Sequence, residues 1–137
     1  MSLVEIDLPD SAVLFSQAHD ADLLIDESNE AIESFMLADQ EVIENFVTCD
    51  FYLAQSALAW IQRENLLTGD RFCELGSGFG VVAMLAANLG MEAIGIEIEQ
   101  VLVDKANDLA VRLGNGAKFY CGSFIPHDTL DELDVDR

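Results

Sequence analysis

From residue 50 onward, short apolar runs alternate with longer stretches whose apolar residues recur every three or four positions. RFCEL (71–75) is short, apolar and bounded by turn residues, which predicts a buried parallel strand. GSGFG then leads into GVVAMLAANL, a run too long for a strand and closed by Gly90, which predicts a helix with a glycine stop. MEAIGIEI (91–98) reads as a second strand. In EQVLVDKANDLAVRLG, Leu102, Ala106, Leu109 and Leu113 fall at offsets of 4, 3 and 4, one apolar face for packing on a sheet. Gly114, Asn115 and Gly116 end that helix, and AKFYCGSF (117–124) supplies a third strand. Ahead of these elements, DFYLAQSALAWIQRENLL (50–67) begins on Asp50, a good N-cap. It carries Leu58, Ile61 and Leu66 among its apolar positions and breaks at Thr68, Gly69 and Asp70, so it predicts one more helix. Strands alternating with helices imply an α/β fold with parallel pairing and right-handed crossovers.

Before Asp50 the periodicity is weaker. SNEAIESFML (28–37) and DQEVIENFV (39–47) space apolar residues three and four apart and predict short amphipathic helices capped by Ser28 and Asp39, whereas SAVLFSQAHDADLLI (11–25) is ambiguous. Charge sharpens the division: residues 1–50 carry 13 acidic residues and no lysine or arginine, and the first basic residue is Arg63. The chain therefore divides into an acidic, mostly helical segment, 1–49, and a second part, 50–137. The acid run reads as the solvated surface of helices packed over the later domain, with an interaction tail for a basic partner as the alternative.

Composition narrows the function classes. The chain has 137 residues, 51% of them hydrophobic, enough for one domain with a real core. Its net charge is −20, and the 6 basic residues are scattered, so no basic patch for nucleic acid can be assembled and an anionic membrane surface is disfavoured. No apolar run reaches the ~20 residues of a membrane span, and the first residues lack the basic region of a secretory leader; the expectation is a cytoplasmic protein. Cys49, Cys73 and Cys121 are odd in number and match no metal-ligand spacing, so they are expected to be reduced, buried, small apolar residues. His19 and His127 stand alone, and no metal site is expected.

The chemistry concentrates in FCELGSGFG. Gly76, Gly78 and Gly80 sit at offsets 0, 2 and 4, whereas the dinucleotide fingerprint needs 0, 2 and 5, where this chain has Val81. No Gly-Lys-Ser/Thr follows, so a phosphate loop is excluded too. What remains is a bare turn against which a ligand can lie, with Glu74 at the strand mouth; a carboxylate there suits a cation better than a phosphate. Glu97 ends the second strand, where it can accept bonds from both hydroxyls of a ribose. A ligand with a ribose and a positive charge is implied. Each residue also has a plainer reading: a tight strand-to-helix turn for the glycines, a helix-capping carboxylate for Glu74, and a surface acid for Glu97.

At these residues the chain resembles the class I methyltransferases that use S-adenosylmethionine. ELGSGFG matches that family's first motif, GIE (95–97) the acidic end of its second strand, and CGSFIP (121–126) the segment that borders adenine, with Ser123 and Phe124 in place. Ser123 departs from the commoner aspartate but can still exchange hydrogen bonds with adenine. The match covers about residues 70–126 and is similar to small, poorly characterised bacterial methyltransferases and, more loosely, to the non-SET histone lysine methyltransferases. The resemblance implies a Rossmann-like domain that binds S-adenosylmethionine through Glu74, Gly76, Ser77, Gly78, Gly80, Glu97, Ser123 and Phe124. Glu74 would orient the methionine end, Glu97 the ribose, and Ser123 and Phe124 the adenine; Phe124 as a core residue is the alternative.

A full class I domain has a seven-stranded sheet, and after the third strand this chain has only PHDTLDELDVDR. It is therefore expected to form the cofactor-binding half of such a domain, as a fragment or a half-domain that borrows a partner. Its open sheet favours self-association, and methyl transfer by this chain alone is expected to be slight. The acceptor, a small molecule or a protein, and the catalytic residues are left unassigned. The alternative function is a non-catalytic nucleotide-binding or acidic protein-interaction module. Replacing Glu97 by alanine is expected to weaken cofactor binding and leave the fold intact.

Overall fold

The computed structural model describes residues 7, 19–38, 46, 48–123 and 125. In chain order they form α1 (His19–Ala38), α2 (Phe51–Arg63), β1 (Arg71–Leu75), α3 (Val81–Asn88), β2 (Glu92–Glu97), α4 (Gln100–Arg112) and β3 (Lys118–Cys121). The strands pair in parallel in the order β1-β2-β3. The alternating pattern from Asp50 thus produces the α/β sheet it predicts.

Register decides what the sheet can bury. Glu74, Gly95 and Phe119 lie side by side in one row, and Cys73, Ile94 and Lys118 in the next row along the strands, on the opposite face. The first face carries Ala93, Gly95, Glu97 and Phe119, all buried under α3 and α4. On the other face Leu75 and Tyr120 are 57% and 54% exposed, and Cys73 is exposed as well. RFCEL is therefore parallel but not buried: among the described residues β1 has a neighbour on one side only and helices on one face only. The far edge of the sheet is covered at one residue. Asn107 of α4 donates from Nδ2 to the Phe119 carbonyl and accepts the Phe119 N–H at Oδ1, both at 3.1 Å, taking the place of a neighbouring strand.

The core is centred on α3, whose Ala83, Met84, Leu85 and Ala86 are fully buried. That is why this helix is apolar on every side: the sheet, α1 and α2 all contact it. α1 packs on α3 and contributes Ala21, Leu24, Ile25 and Ile32 to the same core, so the acidic segment presents its carboxylates outward from a helix that belongs to the folded unit.

Several expectations change here. Ser28 is not a helix start but the buried middle of a 20-residue helix, and the ambiguous stretch ahead of it is helical from His19. A small serine lets α1 approach its neighbours closely, and its polarity interrupts the apolar stripe 21, 24, 25, 32 that would have revealed the longer helix. The predicted cap Asp39 and its helix lie outside the described residues. Leu66 falls beyond α2 and is exposed. Cys49, Cys73 and Cys121 are exposed rather than buried, because they sit at a loop, on the bare sheet face and at a strand end.

Asp50 is the N-cap of α2, its Oδ1 accepting the Leu53 N–H at 3.1 Å. Asp50→Ala is expected to cost about 1 kcal/mol of stability, the usual worth of such a cap, as read from the urea midpoint at unchanged slope.

Candidate cofactor site

Parallel strands with helices on their faces leave a crevice at their carboxyl ends, where the strand-to-helix turns begin. Here β1 runs into Gly76–Gly80 and β2 ends at Glu97, and between them lies a cavity of about 580 Å³, within the range of small-molecule sites. Its walls bring together Glu74, Gly76, Ser77, Gly78, Gly80 and Glu97, six of the eight residues singled out in the sequence. Ser123 does not line it; its hydroxyl accepts the Ile125 N–H at 3.1 Å. Phe124 lies outside the described residues.

The three glycines of the turn all have left-handed backbones, with φ of 71° at Gly76, 53° at Gly78 and 77° at Gly80, but they differ in what their bareness serves. A Cβ built on Gly76 meets nothing within 4 Å, so this is where a ligand can reach the backbone. A Cβ on Gly78 would press on the Phe46 ring at 3.2 Å, and one on Gly80 would collide with the ring of Phe119. The same ring and the Ser77 side chain stand 2.5 and 2.6 Å from a Cβ on Gly95. Gly80 and Gly95 are thus bare because Phe119 of β3 fills the space beneath the turn.

The amides of the turn are already committed. Gly76 and Ser77 donate to the Ile96 carbonyl at 2.8 and 3.1 Å, Gly80 to the Ser77 carbonyl at 2.7 Å, and Gly78 to Glu97 Oε2 at 2.8 Å. Glu97, 9% exposed, also accepts the Glu99 N–H at Oε1, 3.1 Å away. A phosphate cradle needs several amides aimed at an empty space, and most of those here point into the protein. Glu97 is a surface acid in neither position nor bonding.

Glu74 serves the helix that follows it, its Oε1 accepting the Ala83 N–H in the first turn of α3 at 3.2 Å, while it also lines the cavity. The capping reading and the cavity reading of this residue therefore coincide. Burial pushes its carboxyl from 4.5 up to about 7; the Ala83 bond opposes the shift and the charge of Glu97 adds to it. Because the native state keeps this proton to higher pH than the unfolded chain, the residue's contribution to stability falls as pH rises from 4.5 towards 7. Partial loss of solvent at the cavity wall and the nearby Glu74 charge likewise raise the thiol of Cys49, exposed though it is on the whole. No lysine or arginine is among the lining residues, which include a third acid, Glu99.

Sequence reasoning missed the aromatic wall. Phe79, set between two glycines of the turn, is 3% exposed and meets Phe35 of α1 at 5.4 Å and Phe46 at 5.9 Å between ring centroids. Phe35 and Phe46 meet edge-on at 6.4 Å. Through these rings the segment ahead of α2 holds the glycine turn, and Ile32, Phe46, Thr48, Cys49 and Phe51 become part of the cavity wall. The signal was Phe79 itself, since a large aromatic in a glycine turn needs an apolar receiver.

No protein-family profile matches the chain. A ribosomal protein L11 methyltransferase of Thermus thermophilus is 38% identical over 84 residues, 59% of this chain and 32% of its own length. The fold of this chain is a three-stranded parallel α/β sheet, and more than half of the chain is similar to that methyltransferase. The chain spans about a third of the length of that curated relative. A solved structure of a hypothetical protein, also from Thermus thermophilus, superimposes on it with a TM-score of 0.52 at 20% identity, covering 72% of this chain and 56% of that one. An RNA methyltransferase from Salinibacter ruber, solved with S-adenosyl-L-homocysteine, gives a TM-score of 0.47 at 28% identity over 56% of this chain and 50% of that one. Among the described residues, no helix is long and apolar enough to cross a membrane, and no group of three or more histidine, cysteine or acidic residues is placed to hold a metal ion.

Proposed function

We propose that the cavity binds S-adenosylmethionine and that the chain takes part in methyl transfer from it. The observation that carries this reading is the pairing of an open Gly76 backbone with acids and, among the described residues, no base: the cavity has Glu74, Glu97 and Glu99, no lysine or arginine, and turn amides largely spent on the protein. Such a wall disfavours a phosphate or pyrophosphate and suits a ligand that carries positive charge and hydroxyls.

Glu97 would then take the ribose hydroxyls with the lone pairs its two backbone donors leave over, and Glu74 would face the cationic methionine end. Gly76 gives the closest approach to the backbone, with Ser77, Gly78 and Gly80 shaping the turn; Ser123, outside the cavity wall, has no part in this reading. When bound, the cofactor supplies an already reactive sulfonium methyl, so the chain's residues need only position it and keep water out. Similarity to a ribosomal protein L11 methyltransferase supports a protein acceptor over a small molecule.

Calorimetric titration of the chain with S-adenosylmethionine, S-adenosylhomocysteine and NAD tests this. Both adenosyl ligands are expected to bind at least tenfold more tightly than NAD. Equal or tighter NAD binding would end the methyltransferase reading.

A further inference from the structure

We propose that this cavity exchanges a proton for its ligand: Glu74 holds a proton while the cavity is empty and releases it to solvent when a cationic adenosyl ligand settles beside the carboxylate. The inference rests on the cofactor reading above and adds a charge rule to it.

The geometry separates the two inner acids. Both oxygens of Glu97 accept backbone N–H groups, from Gly78 at 2.8 Å and Glu99 at 3.1 Å. Among the described residues Glu74 has the Ala83 N–H alone, at 3.2 Å, with Glu97 as its neighbour in the same cavity. Among the described residues, ionisable groups line the same cavity from two further directions, and neither is basic: Cys49 precedes α2, and Glu99 follows β2. α3 has no ionisable side chain, α1 offers the apolar Ile32, and β3 places Phe119 in the same row of the sheet. In the same wall the Ser77 hydroxyl is buried without a partner. A negative charge on Glu74 in the empty cavity thus has one weak donor, little solvent and the like charge of Glu97 beside it, and holding a proton relieves all three.

A ligand cation reverses that balance. It supplies the missing opposite charge, the carboxylate becomes the favoured form, and the proton leaves for the buffer without any covalent change. With its carboxyl pushed up to about 7, Glu74 holds its proton more completely at pH 5.5 than at pH 7. Binding of a cation is therefore weaker at pH 5.5 than at pH 7, where less of the carboxyl must be deprotonated first.

Calorimetry in two buffers of different ionisation enthalpy counts the protons. With S-adenosylmethionine and the full chain, release of about half a proton is expected at pH 7 and close to one at pH 5.5, with affinity strengthening by about an order of magnitude over that interval. Glu74→Gln keeps the size and an acceptor for Ala83; once circular dichroism shows it folded, it is expected to release no protons and to bind with flat pH dependence. 5′-Methylthioadenosine, which lacks both the sulfonium and the amino-acid end, is expected to release none from the unaltered chain. If S-adenosylmethionine binds without proton release, or if Glu74→Gln releases as many, the exchange is wrong while the cofactor reading stands. If no adenosyl ligand binds, both are wrong.

Discussion

Glu97→Ala is expected to lose both the ligand and part of the fold. The carboxylate accepts the buried Gly78 N–H at 2.8 Å and the Glu99 N–H at 3.1 Å, so alanine leaves two donors without a partner. At about 1 to 3 kcal/mol for a stranded buried donor, and less for the partly exposed one, the cost is about 2 to 4 kcal/mol of stability. Release of the Gly78 amide frees the turn that shapes the cavity, and on the proposed reading the ribose loses charge-assisted bonds as well, so affinity for S-adenosylmethionine is expected to fall by roughly a hundredfold or more. Urea unfolding and calorimetry of the same preparation separate the two effects. Glu97→Gln keeps one acceptor oxygen and is expected to lose about half as much stability. A Glu97→Ala protein as stable as the parent would show that the turn holds itself and that Glu97 acts on the ligand alone. This replaces the expectation from sequence that the fold survives the change intact, which rested on a carboxylate facing only the ligand.

Gly80→Ala is expected to be the most damaging single change in the turn. Alanine there must adopt φ near 77°, at a cost of about 1 to 2 kcal/mol, and must also displace the Phe119 ring. Phe119 is 4% exposed in a row between Gly95 and the Asn107 side chain, so it has little room to move, and overpacking adds about 1 to 3 kcal/mol. The total, about 2 to 5 kcal/mol, is comparable with the whole stability of a small domain. Gly76→Ala carries the backbone strain without the collision and is expected to lose only ~1 to 2 kcal/mol while blocking the ligand's approach. Phe119→Leu in the Gly80→Ala background removes the collision but not the strain, and partial recovery of the urea midpoint is the expected result. No recovery would mean that backbone strain accounts for the whole loss.

Much of the candidate site was legible because it is local. Glu74 and the glycines lie within seven residues, and Glu97 follows at the end of the next strand, so strand and turn patterns alone place them near one another. Ser123 shows where that logic thins. It follows β3 as the pattern requires, yet a short contact with its own loop occupies its hydroxyl outside the cavity wall. Residue type gave no sign of this, since a serine bonds as readily to a nearby amide as to a ligand.

By itself, the sequence determined the α/β order from Asp50 onward, the parallel pairing, the caps at Asp50 and Gly90, and the neighbourhood of Glu74 and Glu97, because hydrophobic period and turn residues act over a few positions. Tertiary structure alone decided three further things. It set the length of α1, whose buried face includes a serine that only close packing explains. It assigned the glycines their separate duties, since Gly80 and Gly95 are bare for a ring that arrives from β3, 39 and 24 residues away in the chain. And it left one face of the sheet uncovered among the described residues, exposing Leu75, Tyr120 and Cys73. Each depends on which distant surfaces meet, and no local pattern encodes that.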